Sequence, residues 1–202
     1  AVARHAGTIE ETYTLMGLTY VQAGKNLSRV KKVIVTGGSL IHSEAPEKIA
    51  GVGVVAGLLV DKFATLVPTE QVKLVFVHGT ADPVVPMGGM AYDMDNDSKP
   101  DYNYAYSLDD TIDWFIQTYG LTVADIKSSK VPDANPGDGC TMDRYEYVDS
   151  DGNIPVVKYV VNNGGHTWPG GTQYSPAYYI GALCKDAQAS ELIWNELKDV
   201  SR

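Results

Sequence analysis

The chain has 202 residues, 44% of them hydrophobic, and its 25 acidic against 16 basic residues give a net charge of −9. This length and hydrophobic content suffice for one sizeable core, so we expect a single domain over residues 1–202. The negative charge opposes binding to nucleic-acid phosphates and anionic membranes, and no apolar run reaches the roughly 18 residues of a membrane helix. We therefore expect neither nucleic acid nor a membrane as a partner.

Four short apolar runs predict the strands of a sheet. In chain order they are residues 30–36 (VKKVIVT), 49–60 (IAGVGVVAGLLV), 72–78 (VKLVFVH) and 155–161 (PVVKYVV). The last two runs do not alternate between apolar and polar residues, which is typical of strands that are buried on both faces of a parallel sheet.

Two segments have the pattern of amphipathic helices. Residues 107–120 begin with Ser107 as a cap, continue with acidic residues in the first turn and end at Gly120. Residues 186–200 place small and aliphatic side chains along one stripe. We expect both segments to cover the sheet.

Strands that alternate with helices predict an α/β fold with an open, mostly parallel sheet flanked by helices. Residues 121–153 are rich in Pro, Gly, Asp and Ser, and predict a long surface connection with one short strand, TMDRYEYV. Residues 1–29 follow neither the helical nor the strand period, and a hairpin is one alternative there.

Three polar residues follow predicted strands, where α/β folds gather their functional groups. Ser39 follows the first run, Asp82 the third, and His166 the fourth, between two pairs of glycines that we expect to free the backbone to turn. Ser, Asp, His is the chain order of the α/β-hydrolase triad, in which serine attacks an acyl carbonyl, histidine moves the proton and the carboxylate orients the histidine. The alternatives are a helix cap for Ser39, an Asx turn before proline for Asp82, and a turn histidine for His166.

From about residue 44 to the end, the chain resembles the second half of secreted esterases of the feruloyl esterase and polyhydroxybutyrate depolymerase type. The motifs that carry the resemblance are EAPEKIAGVGVVAG, VFVHGTADPVVPMGG, PDANPGDG, GGHTWPGG and ASELIW. The resemblance implies an α/β-hydrolase-like fold, with Asp82 as the triad acid and His166 as the base, and it implies no cofactor. It also implies a secreted or periplasmic location, and feruloyl or acetyl esters of plant cell walls, or polyester, as substrates.

The same resemblance implies three substrate-binding residues. Met87 and Gly88 fall in the loop that follows the acid and shapes the pocket in such esterases. Trp168 is placed to stack on an aromatic acyl group, although a tryptophan beside proline also serves as a lid over a core.

The sequence departs from these esterases around the nucleophile. The motif Gly-x-Ser-x-Gly is represented by residues 37–41, GGSLI, which lack the last glycine. The strands and the oxyanion-hole loop that usually precede the serine are not recognisable in residues 1–30. One alternative is therefore a catalytically inactive hydrolase half that forms oligomers through an exposed sheet edge.

Residues 1–42 resemble a different protein, the accessory protein of glutamate mutase, which is related to actin-like ATPases. The run RHAGTIEETYTLMGLTYVQAGKNLSRVKKVIVTGGSLIH carries this resemblance. It implies that VTGG is the strand and glycine turn of a nucleotide-binding fold, and that Ser39 is no nucleophile. A nucleotide-binding remnant is thus a further alternative.

No metal site is expected from the sequence. The run DMDNDSKPD has the acid spacing of a calcium loop, but Ser98 and Tyr104 replace the required glycine and glutamate. A solvated acidic loop explains it better. Cys140 and Cys184 permit one disulfide without requiring it.

Overall fold

The computed structural model describes residues 8–14, 17–23, 49–68, 70–92 and 102–200. The chain divides into two compact units, Ala1–Val35 and Thr36–Arg202. The single domain predicted over residues 1–202 stays a prediction. Within the described part of the chain, no helix is both long enough and apolar enough to cross a membrane.

The first unit contains an antiparallel hairpin. Strands β1 (Thr8–Thr14) and β2 (Gly17–Ala23) pair along their whole length, from Thr8 opposite Ala23 to Thr14 opposite Gly17. The hairpin alternative for this segment is confirmed. The predicted strand at residues 30–36 lies outside the described residues.

The second unit contains a five-stranded sheet in the order β3-β4-β9-β8-β7. The strands β3, β4 and β9 are parallel, and the pairs β9-β8 and β8-β7 are antiparallel. The described sheet is therefore mixed rather than mostly parallel. Its strands are β3 (Gly51–Val55), β4 (Lys73–Gly79), β7 (Val123–Lys130), β8 (Thr141–Asp149) and β9 (Val156–Asn162).

The antiparallel half of the sheet arises from the segment that was predicted to be mostly surface connection. The predicted strand TMDRYEYV is confirmed as β8, but β7 was not predicted. Seven of the eight β7 residues are exposed, so this edge strand lacks the apolar pattern by which strands are recognised. Its backbone bonds with β8, rather than burial of its side chains, account for it.

Two helices cover opposite faces of the sheet. On one face, α1 (Leu108–Thr118) buries Leu108 and Ile112 in a cluster that includes Val52 of β3. On the other face, α3 (Ala189–Leu197) lies over β3, where Ile193 occupies the space above Gly53. Adjacent residues of a strand point to opposite faces, so the helices lie on either side of the sheet, as predicted.

The predicted cap of α1 is confirmed, because the Ser107 hydroxyl accepts a hydrogen bond from the Asp110 N–H at 3.0 Å. The described chain also contains shorter elements. The remaining elements are β5 (Met90–Tyr92), β6 (Tyr102–Ala105), α2 (Ala177–Ile180) and the 3₁₀ turns Asp61–Phe63 and Pro136–Asp138.

Candidate active site

Asp82 and His166 follow two neighbouring parallel strands, β4 and β9. Because the carboxyl ends of parallel strands meet at one edge of a sheet, residues that are 84 positions apart come together there. His166 Nδ1 lies 2.9 Å from Asp82 Oδ2. The structure thus brings together the two residues that were predicted as acid and base.

The Asp82 carboxylate is buried and held in place by the backbone. The residue is 5% exposed, and its Oδ1 accepts hydrogen bonds of 2.8 Å from the N–H groups of Val84 and Val85. Its Oδ2 remains for His166. The Asx turn, which was the alternative role for Asp82, therefore coexists with the contact to His166. The turn uses Oδ1 and the contact with His166 uses Oδ2.

The hydrogen bond to Asp82 determines the tautomer of the neutral His166 ring. An ionised carboxylate only accepts hydrogen bonds, so Nδ1 carries the proton and donates it. Nε2 then has a free lone pair. The His166 side chain is 27% exposed, and none of the described residues forms a hydrogen bond with Nε2. A partly exposed imidazole with an available lone pair is what a general base requires.

The backbone of the His166 loop is fastened to the segment around α2. The His166 N–H donates to the Ile180 carbonyl, and the His166 carbonyl accepts a 2.8 Å bond from the Tyr174 hydroxyl. A β-carbon at Gly165 would overlap the Ile180 carbonyl, so glycine is needed there for close approach. Turning freedom, the reason expected from the sequence, applies to Gly170, whose φ is 73°.

His78 supports the acid and was not recognised from the sequence. This buried residue lies on β4, with Nε2 at 2.8 Å from the Val85 carbonyl and 3.7 Å from Asp82 Oδ2. Burial holds the pKa of His78 below its usual value. A neutral ring donates from Nε2 to Val85 and so fixes the turn that presents Asp82. The available signal was its position in the motif HGTADPVVP.

Trp168 is half-buried and contacts the start of α3. Its Nε1 donates to the Ser190 hydroxyl at 3.2 Å. This bond attaches one edge of the ring to α3, and the position of Trp168 two residues after His166 keeps it near the base along the chain. The stacking role of Trp168 stays a prediction.

Met87 and Gly88 differ in their surroundings. Met87 packs against the hydrophobic core, and its carbonyl accepts a 2.9 Å bond from the Leu108 N–H. Gly88 is exposed and lines a cavity of about 140 Å³. Neither Asp82 nor His166 lines this cavity. The cavity beside Gly88 is therefore not the place where Asp82 and His166 meet. The substrate-binding role of Met87 and Gly88 stays a prediction.

The predicted nucleophile, Ser39, lies in residues 24–48, outside the described part of the chain. The acidic run of residues 93–101, which was compared with a calcium loop, also lies outside it. The nucleophilic role of Ser39 therefore stays a prediction.

Most of the chain is similar to an esterase. Putative esterase NocK from Nocardia uniformis subsp. tsuyamanensis is 33% identical over 155 residues. The similarity covers 75% of this chain, and the chain spans 44% of the length of NocK.

The N-terminal part has a separate relationship. A family model described as MutL protein matches residues 1–76, which extends beyond residue 42 into β3 and the beginning of β4. Protein MutL from Clostridium tetanomorphum is 53% identical over 53 residues, which are 26% of this chain and 12% of that protein. Both resemblances predicted from the sequence are confirmed: the chain is similar to an esterase over three quarters of its length and to MutL at its N-terminal end.

Proposed function

We propose that this chain provides the acid and the base of a carboxylic ester hydrolase that acts through a serine acyl-enzyme. The observation that carries the proposal is the hydrogen bond between Asp82 and the Nδ1 of His166, with Nε2 left unbonded by the described residues. The similarity to an esterase gives the reaction class.

In the proposed mechanism, His166 moves the proton in both halves of the reaction. Its Nε2 takes the proton from the serine hydroxyl as the oxygen attacks the acyl carbonyl, and returns it to the leaving alcohol. Water then attacks the acyl-serine by the same route. The Asp82 carboxylate stabilises the imidazolium that forms, because its buried Oδ2 faces Nδ1 at 2.9 Å. Ser39 is the proposed nucleophile.

The proposed substrates are feruloyl or acetyl esters of plant cell walls, or polyesters, and the proposed location is secreted or periplasmic. These finer statements rest on the motif resemblance. Aromatic side chains beside the base, Trp168 and the exposed Tyr174, are suited to contact a planar acyl group.

A fluorophosphonate probe tests the mechanism, because it reacts with a serine only when a base activates it. We expect the full chain to be labelled at Ser39, with labelling abolished in His166→Ala and Ser39→Ala. Ser128→Ala, on the exposed strand β7, is the matched control and should label like the wild type. Labelling at no serine would refute an active hydrolase.

The inactive half remains as a second candidate because of the sheet edge. β3 ends the order of the five described strands, so no described strand pairs with its outer edge. An unpaired edge favours strand addition by another copy. The inactive half therefore predicts an oligomer by light scattering together with absent labelling, whereas a monomer would argue against it.

Nucleotide binding is a third candidate, favoured by the MutL family match over residues 1–76. Titration calorimetry with ATP tests it directly. Saturable heat that is lost on deleting residues 1–42 would support it, and no heat would remove it.

A further inference from the structure

The two cysteines of the chain lie side by side in the interior. Cys140 immediately precedes β8, and Cys184 lies between α2 and α3. They are 1% and 0% exposed, and each thiol contributes to the pKa shift of the other.

One carboxylate holds both cysteine segments. Asp138 Oδ1 accepts a 2.9 Å bond from the Cys140 N–H, and Asp138 Oδ2 accepts a 2.7 Å bond from the Lys185 N–H. The backbone at Cys140 and the backbone next to Cys184 are both hydrogen-bonded to the Asp138 carboxylate. Asp138 therefore holds the Cys140 segment and the Cys184 segment next to each other.

The surroundings of the two thiols disfavour their ionised forms. Burial, with Asp138 and Asp186 nearby, raises the pKa of Cys140, and burial raises the pKa of Cys184 to about 12. A pair without a stable thiolate is a poor catalytic pair. Its disulfide is hard to reduce, because reduction must generate thiolate character in an acidic, buried place.

We propose that Cys140 and Cys184 form a structural disulfide that links the entry of β8 to the segment behind the His166 loop. A disulfide oxidant such as oxidised glutathione supplies the chemistry. One sulfur–sulfur bond forms in the protein and one breaks in the oxidant, which takes up the two electrons and two protons and leaves as two thiols.

A divalent cation is the competing occupant of this place. One ligand atom each from Asp138, Cys184 and Asp186 lies within 4.8 Å of the others. Both oxygens of Asp138, however, already accept backbone hydrogen bonds, and Asp186 Oδ1 accepts one of 3.1 Å from Asn135. Asp186 Oδ2, in contrast, is buried without a hydrogen-bond partner among the described residues, so only the oxygens of Asp138 favour the disulfide over a cation.

The link would stabilise the segment against which the catalytic loop rests. The Cys184 carbonyl accepts a 2.8 Å bond from the N–H of Gly170, four residues after His166. Closing the long loop between the cysteines restricts the unfolded chain. We expect the oxidised protein to have a folding equilibrium constant roughly a hundredfold larger than the reduced protein.

The test uses the full chain equilibrated natively with oxidised glutathione, then denatured, alkylated and digested. We expect a peptide pair joined through Cys140 and Cys184, lighter by two hydrogens than the two thiol peptides, and no alkylation. Reductant should lower the urea midpoint of the wild type and leave that of the Cys140→Ser, Cys184→Ser double variant unchanged.

Two results would overturn the proposal: alkylation of both cysteines after native oxidation, or a stoichiometric divalent metal in the purified protein that a chelator removes. If the double variant does not fold, the oxidised and reduced wild type still provide the comparison. Equal urea midpoints for these two forms would also count against a structural disulfide.

Discussion

Replacing Asp82 by asparagine tests whether this residue orients a catalytic base. The amide keeps an oxygen for the N–H groups of Val84 and Val85, but places an NH₂ group where Oδ2 accepts from His166. The imidazole then favours the wrong tautomer. We expect kcat for an activated ester to fall by about 10³–10⁴-fold, which corresponds to roughly 4–5.5 kcal/mol of transition-state stabilisation.

The cost to stability should be much smaller. His166 is 27% exposed and can bond water instead, so losing one hydrogen bond should lower the free energy of unfolding by about 1 kcal/mol. Asp82→Ala removes the two backbone bonds as well and should cost about 2–4 kcal/mol. Asparagine thus separates the catalytic role of the carboxylate from its structural role.

The assay combines hydrolysis of p-nitrophenyl acetate with urea unfolding of each variant. A loss of activity in Asp82→Asn with near wild-type stability is the expected pair of results. If Asp82→Asn keeps activity within tenfold of the wild type, the carboxylate does not orient a base and the reasoning is wrong.

Three further predictions concern stability. Burial lowers the pKa of His78 in the folded state, so as the pH falls the unfolded chain takes up a proton on this histidine before the folded chain does. The free energy of unfolding should therefore fall as the pH drops below about 6.5, by up to about 1.4 kcal/mol per pH unit. In His78→Gln this contribution should vanish, and urea titrations giving equal slopes would contradict it. Glu196→Gln removes the charge that Arg144 binds at 2.7 Å and should cost about 2–3 kcal/mol at pH 7 by urea unfolding. Burial raises the pKa of Glu196, but the bonds from Arg144 and Tyr159 outweigh burial and lower the pKa overall. The stability advantage of the wild type over Glu196→Gln should therefore disappear as the pH falls below the pKa of an ordinary glutamate, and a constant difference would refute this. Ile193→Ala should lower the free energy of unfolding by about 2–5 kcal/mol, because the Ile193 side chain is fully buried. Trp194 is 44% exposed, so Trp194→Ala should lower it by less than half as much. Equal losses in the two variants would contradict the packing of α3.

The pairing of Asp82 with His166 could be predicted because strand ends converge whatever the connections between them. The apolar runs showed where β4 and β9 end, and parallel pairing of these strands brings their ends to the same edge of the sheet. The support by His78 could not be predicted in this way, since a histidine within a strand is recognised as a partner of the acid only when the following turn is seen to fold back onto it.

The polar strand β7 shows the limit of pattern reasoning about the sheet. A strand that exposes both faces has no alternation to detect, and its pairing with β8 is fixed by backbone hydrogen bonds that any sequence can form. The motif resemblance likewise leaves the contacts of Met87 open. The motif placed this residue near the acid along the chain, but its contacts are with the hydrophobic core.

The tautomer of His166 is the most direct test of the account, because it needs neither the serine nor a substrate. Nitrogen NMR of the ¹⁵N-histidine-labelled protein, recorded at alkaline pH where imidazole rings are neutral, should show a His166 ring protonated at Nδ1, with a far-downfield hydrogen-bonded proton that disappears in Asp82→Asn. A ring protonated at Nε2, or an Nδ1 proton that is unaffected by Asp82→Asn, would contradict the proposed general base.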